Sequence, residues 1–260
     1  SLPANCCYVN YLPCHDDIGW GRNEAFGRTI GIDPVAHKKY LYEFFEGSFP
    51  GSFARGERYN YDPVTQDARS CGTTASLCGI EKGLYEGDEA QVALGIQRDL
   101  MMHAAMMSMA GFPMLSSGDE IGQLNGYDYH DDPDRREDSR NLHRTRFNWD
   151  NAEKRRERGT VQQRIWEGLR QLERLRRREP CFGPHARVTT WDTASRQVLA
   201  LVRRTEEETL VCLFNFSGQR QTIHMDALEG TFTDLVTGQE GLCAHRELEP
   251  YQYCLCRQSR

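Results

Sequence analysis

Apolar residues recur at helical spacing in three parts of the chain. The longest repeat spans residues 88–110, where Asp88 stands at the position of an N-cap and Gly111 follows the last turn. A second repeat predicts a helix over 160–178, and a shorter one predicts a helix over 35–46. The basic runs around the second helix, KRRER and RLRRRE, are expected to form solvated faces.

Two short apolar runs indicate buried strands of a parallel sheet. Residues 6–13 form an aromatic-rich run that ends at Pro13, and residues 112–118 form the second run. Functional groups just past the carboxyl end of a buried strand are typical of parallel barrels and doubly wound sheets. Charged residues follow both runs directly, namely His15, Asp16 and Asp17 after the first and Asp119 and Glu120 after the second.

The pattern of apolar and turn residues changes at Pro180, and this change predicts a domain boundary. Short β-branched segments separated by turn residues come after it, which predicts a separate antiparallel β domain over 180–260. Residues 1–179 hold only two strand–helix units, with a long turn-rich excursion over 19–87 that is expected to form an inserted loop subdomain. A complete (β/α)8 barrel takes roughly 200 residues or more. The expected fold is therefore α/β plus all-β: the last two units of a TIM barrel, followed by an antiparallel β-sandwich.

Composition narrows the class of protein. The 260 residues are 38% hydrophobic and 27% charged, as in ordinary globular proteins, and the net charge is -6. A mildly acidic protein is a poor partner for nucleic acid, and no apolar run approaches the roughly 20 residues that span a bilayer. The ten cysteines form no C-x-x-C pair and lie mostly in apolar stretches, so we expect reduced, buried thiols in a cytoplasmic protein and no metal site.

The string His15-Asp16-Asp17 is the first candidate for chemistry. Adjacent side chains on an extended segment diverge, so one carboxylate can face a pocket while the other faces its wall. A carboxylate near a sugar can stabilise an oxocarbenium-like transition state or bind ring hydroxyls, and a histidine can donate to a hydroxyl. The alternative is an ordinary loop in which the aspartates cap a turn or helix.

Two further residue types fit a sugar site. Aromatic residues of the excursion can stack on sugar rings or can pack the loop on itself; they are Trp20, Phe53, Tyr59 and Tyr61. Arg140 follows the second apolar run and can pair bidentately with a carboxylate, although solvation at the surface is the ordinary fate of an arginine.

Several strings in order resemble one enzyme family. NYLPCHDDIGWG resembles the seventh-strand motif of glycoside hydrolase family 13, the α-amylase family. HDDIGW followed by GSFARG, YNYDP, SSGDEIGQLN and the DDP, DSR and LHR strings resembles the amylosucrase and sucrose hydrolase subgroup of that family. The resemblance runs from about Tyr11 through Trp149 and more loosely to Tyr251.

The resemblance implies a role for each candidate residue and requires no cofactor. Asp16 would be the transition-state stabiliser, His15 would bind glucosyl hydroxyls, and Asp17 would pair with Arg140 to close the pocket. The resemblance also places Arg69 on the acceptor side of the substrate site. Trp20, one of the aromatic residues above, and Lys38 are further expected substrate-binding residues. Sucrose would be the donor, and a glucan or oligosaccharide the acceptor.

The sequence also departs from the subgroup. Lys38 stands where an arginine of the acceptor site is expected, Asn141 replaces a tryptophan, and Thr145 replaces a proline. The family's nucleophile and general acid both precede the seventh strand, so neither is present and the chain is expected to be inactive alone. The missing N-terminal part of the barrel is expected to be needed. Another α-amylase-family enzyme, such as a trehalose synthase or an α-amylase, and a non-catalytic carbohydrate-binding module are the alternatives.

Overall fold

The computed structural model describes residues 6–21, 23–225, 230–242 and 245–258 of the chain. Cys243 lies outside the described residues. Contacts divide the chain into two compact units. The first consists of residues 1–11, 97–114 and 165–260, and the second of residues 12–96 and 115–164. The predicted domains are continuous in the sequence, whereas each of these units combines separate segments of the chain. The domain boundary at residue 180 therefore stays a prediction.

All three predicted helices are present, at nearly the predicted positions. The α-helices of the described residues are α1 (Glu24–Thr29), α2 (Pro34–Glu46), α3 (Thr74–Leu77), α4 (Ile80–Glu86), α5 (Glu89–Ser108), α6 (Trp149–Glu153) and α7 (Val161–Arg178). The side chain of Asp88 accepts a hydrogen bond from the amide of Gln91 at 3.0 Å, as expected of an N-cap. Within the described ranges, no helix has the length and apolar character needed to span a membrane.

The strands of the described residues form four separate sheets. They are β1 (Val9–Asn10), β2 (Glu57–Asp62), β3 (Asp67–Cys71), β4 (Phe112–Pro113), β5 (Arg187–Trp191), β6 (Val198–Arg204), β7 (Thr209–Asn215), β8 (Gln221–His224), β9 (Thr231–Asp234), β10 (Glu240–Leu242), β11 (His245–Leu248) and β12 (Tyr253–Gln258). One sheet has six strands in the order β10-β9-β12-β7-β6-β5, and β1-β4, β8-β11 and β2-β3 form pairs.

The two apolar runs pair in parallel as predicted, but they are not buried. Val9 is opposite Phe112 in the register, and each run keeps only two residues in strand conformation. The prediction of buried strands is wrong for this chain, because Val9 is 56% exposed and Phe112 is 67% exposed. A parallel sheet buries both faces only when other elements cover them.

In the second unit, the excursion over 19–87 is a folded arrangement of helices and a hairpin. Helix α2 begins with Asp33 as N-cap and ends at Gly47, whose φ of 93° requires glycine. Both Nε and Nη2 of Arg58, on β2, donate to the Glu46 carboxylate at 2.7 Å, which fixes the end of α2 on the hairpin. The same hydrogen bonds raise the pKa of Arg58.

In the first unit, antiparallel strands form the predicted C-terminal β domain. The six-stranded sheet is antiparallel throughout, and the β8-β11 pair contributes Ile223 and Leu248 to the core that it shares with that sheet. Two sheets thus enclose one apolar core, as in a β-sandwich.

None of the described cysteines forms a disulfide, and the predicted burial is wrong for Cys6 and Cys7, which are exposed, and for Cys14, which is half-buried. Six of them are buried, namely Cys71, Cys78, Cys181, Cys212, Cys254 and Cys256. Burial raises the pKa of Cys212 to about 12, which keeps it a protonated, unreactive thiol at neutral pH.

Two arginines cap the carboxyl end of helix α5 in the first unit. Arg203, only 2% exposed, donates from Nη1 to the Ser108 carbonyl at 2.8 Å and from Nε to the Cys181 carbonyl at 2.6 Å. Arg176 donates to the carbonyls of Met107 and Gly111. Carbonyls at the end of a helix lack intrahelical partners and carry partial negative charge, so cations are favourable there.

Arg176 is an exception to the predicted solvated faces. It belongs to the RLRRRE run, yet its guanidinium group is turned inward onto the end of α5. Burial lowers the pKa of both Arg176 and Arg203, and the proximity of Arg203 adds to the shift of Arg176. Both remain charged, because the ordinary pKa of arginine lies above 12.

Replacing Arg203 should destabilise the first unit. Arg203→Met keeps the length of the side chain but leaves the carbonyls of Ser108 and Cys181 buried without donors, so we expect a loss of about 2–4 kcal/mol in the free energy of unfolding. Urea denaturation would measure it. Arg204→Met is the matched control, since Arg204 is exposed and lies over the Trp191 ring. It should change stability by about 0.5 kcal/mol or less, and an equal effect of both variants would contradict the capping role.

Candidate functional site

The His15-Asp16-Asp17 segment lies in the second unit and presents two polar side chains to solvent. The side chains of His15 and Asp16 are 79% and 57% exposed, and His15 Nε2 lies 3.5 Å from Asp16 Oδ2. The side chain of Asp17 is only 9% exposed. The adjacent carboxylates therefore diverge, as predicted, with Asp16 facing outward and Asp17 facing the protein.

Two arginines reach the outward carboxylate from the loop over 138–144. Asp16 Oδ1 lies 3.5 Å from Nη2 of Arg144 and 3.9 Å from Nη1 of Arg140. Arg144 also donates from Nε to the backbone carbonyl of His15 at 2.6 Å. Both the backbone and the side chain of the candidate segment are thus held by Arg144.

Asp138 orients both arginines. It is the N-cap of a short 3₁₀ helix over Ser139–Leu142, and its carboxylate accepts two hydrogen bonds of 2.8 Å from Nε and Nη2 of Arg140. Nη1 of Arg144 lies 3.6 Å from Asp138 Oδ2. The Arg140 hydrogen bond lowers the pKa of Asp138 and keeps it ionised. Arg140 also lies over the ring of Tyr59, 4.8 Å from its centroid.

The expected pair between Asp17 and Arg140 is not formed. Asp17 Oδ2 instead accepts a hydrogen bond from Nη1 of Arg69 at 3.1 Å. Asp138 occupies the Nε–Nη2 edge of Arg140, so this edge cannot bind Asp17. The hydrogen bond to Asp138 is the main cause that raises the pKa of Arg140, and the negative charge of Asp17 adds a smaller contribution. Arg69, implicated on the acceptor side by the resemblance, is thus the direct partner of Asp17.

The other two predicted binding residues have partners within the excursion. Trp20 stacks on Phe45 with ring centroids 5.1 Å apart, and its indole Nε1 donates to the hydroxyl of Ser70 at 3.1 Å. Lys38 Nζ lies 3.1 Å from Asp67 Oδ1 at the start of β3. In the structure these residues join the elements of the excursion, and their roles in substrate binding stay predictions.

The ring of His143 lies against the backbone of His15 and Asp16. Its Nδ1 accepts a hydrogen bond from the amide of Gly72 at 3.2 Å, so in the neutral ring the proton resides on Nε2. Burial lowers the pKa of His143, and Arg144 adds to the shift, while the backbone of His15 and Asp16 and the charge of Asp138 oppose it. A neutral ring therefore lies against the backbone of the two candidate residues.

The buried carboxylate of Glu81 binds the loop over 122–127, which precedes the arginine-bearing loop in the sequence. Glu81, 6% exposed, accepts hydrogen bonds from the hydroxyls of Ser76 and Tyr127, the latter at 2.7 Å. Asn125 accepts from the Thr73 amide at 2.9 Å and donates to the Arg55 carbonyl at 2.7 Å. These contacts fix the loop over 122–127.

Sequence reasoning missed Asp138, Arg144 and His143 as parts of the site. All three lie within the strings DSR and LHR, which are part of the resemblance to the enzyme family. Nowhere among the described residues do three or more His, Cys, Asp or Glu side chains form a group that could bind a metal ion.

The lowered pKa of His143 should make stability depend on pH. The folded state resists protonating this ring, so its contribution is complete above the ordinary histidine pKa of about 6.5 and is lost as the pH falls below it. His143→Asn places an acceptor near the position of Nδ1 but cannot ionise. We expect wild type to lose more stability than this variant between pH 7.5 and pH 5.5, as measured by urea denaturation.

His143→Leu serves as the comparison, since it removes the acceptor for the Gly72 amide. It should be less stable than His143→Asn at pH 7.5, because a buried donor without a partner costs about 1–3 kcal/mol. Parallel pH profiles for wild type and His143→Asn would show that another group causes the pH dependence.

The comparisons with known proteins concern the C-terminal domain and the fold. Residues 188–255 match the family model described as Maltogenic Amylase, C-terminal domain. Structures of AmyP in complex with maltose, and of an AmyP variant in complex with maltotriose, match with TM-scores of 0.52 and 0.51 and identities of 20% and 18%. Each match covers 64% of this chain and 35% of the AmyP chain.

A third structure extends the likeness. Trehalulose synthase MutB from Pseudomonas mesoacidophila MX-45 matches with a TM-score of 0.50 and 17% identity, over 63% of this chain and 38% of that chain. The chain spans between 35% and 38% of the length of these structures. It therefore shares the fold of part of AmyP and MutB, and its residues 188–255 match the C-terminal domain of maltogenic amylases.

Proposed function

We propose that the chain is the C-terminal part of a retaining α-glucosyl enzyme of the α-amylase family, glycoside hydrolase family 13. The observation that carries the proposal is the state of three neighbouring carboxylates. Asp17 and Asp138 are each hydrogen-bonded to an arginine, whereas Asp16 is 57% exposed and has its nearest arginine nitrogen at 3.5 Å. The match of residues 188–255 to a maltogenic amylase domain supports the same family.

Asp16 is suited to electrostatic stabilisation. A positive charge develops on the glucosyl ring as the glycosidic bond breaks, and an ionised carboxylate beside the ring lowers the energy of that state. Arg140 and Arg144 lie beside Asp16 and hold it in place, so little reorganisation is needed during the reaction. His15 Nε2 lies beside Asp16 and is exposed, so it can donate to a ring hydroxyl.

The proposed reaction also needs two groups outside this chain. A retaining glycosidase uses a nucleophile and an acid–base group about 5–5.5 Å apart. In the cluster described above, Asp17 and Asp138 are bound to arginines and cannot easily attack a sugar carbon. We therefore assign the nucleophile and the general acid to a further segment of the enzyme.

For the substrate, we propose sucrose as glucosyl donor and a glucan or oligosaccharide as acceptor. The ordered strings HDDIGW, GSFARG and YNYDP support this choice. The pair of Asp17 and Arg140 that the resemblance implied for a closed pocket is not formed, so the choice of sucrose rests on these strings alone. Cleavage of maltotriose without cleavage of sucrose would favour the α-amylase alternative.

An activity assay on the intact enzyme tests the role of Asp16. In protein that includes the preceding coding region, Asp16→Asn should lower kcat for sucrose cleavage by about 100- to 1,000-fold, the usual effect of removing one stabilising group. Release of fructose and glucose measures the rate. Asp134→Asn, an exposed residue of the same loop region, is the matched control and should retain activity. The 260-residue chain alone should show no turnover, and robust turnover by it would contradict the proposal.

The pair of parallel strands supports a larger barrel. Strands β1 and β4 bond only to each other among the described residues, and they leave an apolar surface of Tyr8, Val9, Tyr11, Phe112 and Met114 exposed. Parallel sheets are normally covered on both faces, and open strand edges promote aggregation. We propose that further parallel strands of a (β/α)8 barrel cover this surface.

The state of the isolated chain tests the barrel proposal. The 260-residue chain should bind the dye ANS and self-associate in size-exclusion chromatography, because its apolar strand surface is open. Coexpression with the preceding segment should suppress both effects. Phe112→Ser and Met114→Ser in the isolated chain should weaken dye binding, whereas Thr190→Ser on β5 should not. A monomeric chain that binds no dye would contradict the proposal.

A further inference from the structure

Two histidines lie directly opposite each other on the β8-β11 pair of the first unit. His224 pairs with His245 in the antiparallel register, and both residues are exposed. Their Nδ1 atoms are 2.9 Å apart, and the rings are inclined by 62°. Neither residue belongs to the candidate glucosyl site.

The backbone keeps the two side chains close. The amide of His224 donates to the Thr193 carbonyl at 3.1 Å, so it is not used in a bond to His245. Directly opposite residues in an antiparallel pair have Cβ atoms about 4.5–5.5 Å apart, and this spacing does not depend on side-chain contacts. The neighbouring residues Ile223 and Leu248 are anchored in the apolar core, so the strands that carry the histidines are firmly placed.

The separation of the nitrogens matches one coordination geometry. Imidazole nitrogens bind metal ions at about 2.0–2.1 Å, so two of them at a right angle are about 2.9 Å apart and two at the tetrahedral angle are about 3.3 Å apart. The observed distance of 2.9 Å between the two Nδ1 atoms corresponds to a right angle between the two nitrogen–metal bonds. Square-planar and tetragonal geometry with nitrogen and oxygen ligands is typical of Cu²⁺ and Ni²⁺, whereas Zn²⁺ prefers tetrahedral sites.

We propose that His224 and His245 form a two-nitrogen chelate for a divalent transition-metal ion, with a preference for Cu²⁺. Water supplies the remaining ligands, because both rings are exposed. In the neutral pair, one Nδ1–H donates to the other Nδ1. On binding, that proton moves to the Nε2 of its own ring through solvent, and both Nδ1 lone pairs become available. The bound ion joins β8 to β11 and thereby stabilises the β domain. This site is independent of the proposed glucosyl reaction.

Copper titration of the full 260-residue chain, prepared without an affinity tag, tests the proposal. The titration uses protein with Cys6→Ser and Cys7→Ser, because exposed thiols bind and reduce Cu²⁺. Calorimetry should show a Cu²⁺ site about tenfold or more tighter than in the same protein with His224→Gln or His245→Gln, since the second ligand acts at high effective concentration. The electron paramagnetic resonance spectrum should show two equatorial nitrogens in wild type and fewer in each variant. The affinity for Cu²⁺ should exceed that for Ni²⁺ and Zn²⁺.

His185→Gln is the control variant, and the melting temperature is a second measurement. His185→Gln removes another exposed histidine of the same unit and should leave both affinity and spectrum unchanged. Cu²⁺ should raise the melting temperature of wild type and of His185→Gln, but not of the two pair variants. Equal affinity and equal spectra for wild type and the double variant His224→Gln, His245→Gln would overturn the proposal.

Discussion

The position of the candidate carboxylate depends on the contact between Asp138 and Arg140. This contact is bidentate, with two hydrogen bonds of 2.8 Å, and it turns the remaining Nη1 of Arg140 toward Asp16. A single exposed ion pair contributes about 0–1 kcal/mol and fixes little, whereas a network with planar geometry restricts each member. Arg144 extends the network to the backbone of His15. The charge cluster therefore leaves Asp16 as the most exposed of the three carboxylates.

The same residue type has opposite roles in the two units. Arg140 and Arg144 neutralise carboxylates at a partly exposed surface, and their charge acts on Asp16. Arg176 and Arg203 bind backbone carbonyls at the end of α5, where burial lowers their pKa. Without a carboxylate among the hydrogen-bond partners described above, these two arginines depend on the helix terminus for compensation. Arginine is suited to both tasks because its planar group offers five donors.

Local sequence patterns predicted the positions of the helices and strands well, but they predicted less well which of these residues are buried. The apolar repeats located α2, α5 and α7, since one helix face must pack against other residues whatever the fold. The apolar runs gave the parallel pairing of β1 and β4, but not its exposure, because burial depends on neighbours that the runs do not contain. The divergence of Asp16 and Asp17 was also predictable, because adjacent side chains of an extended segment point apart.

The sequence by itself determined the helices, the antiparallel β domain, the burial of most cysteines and the candidate status of His15 and Asp16. These follow from periodicity, burial and residue chemistry, which act over a few neighbouring positions. Only the tertiary structure decided that Asp17 binds Arg69, that Arg140 binds Asp138, and that Trp20 and Lys38 join elements of the excursion. Partner choice among many charged residues depends on distances of a few ångströms across the fold, because Coulomb and hydrogen-bond energies fall steeply with separation.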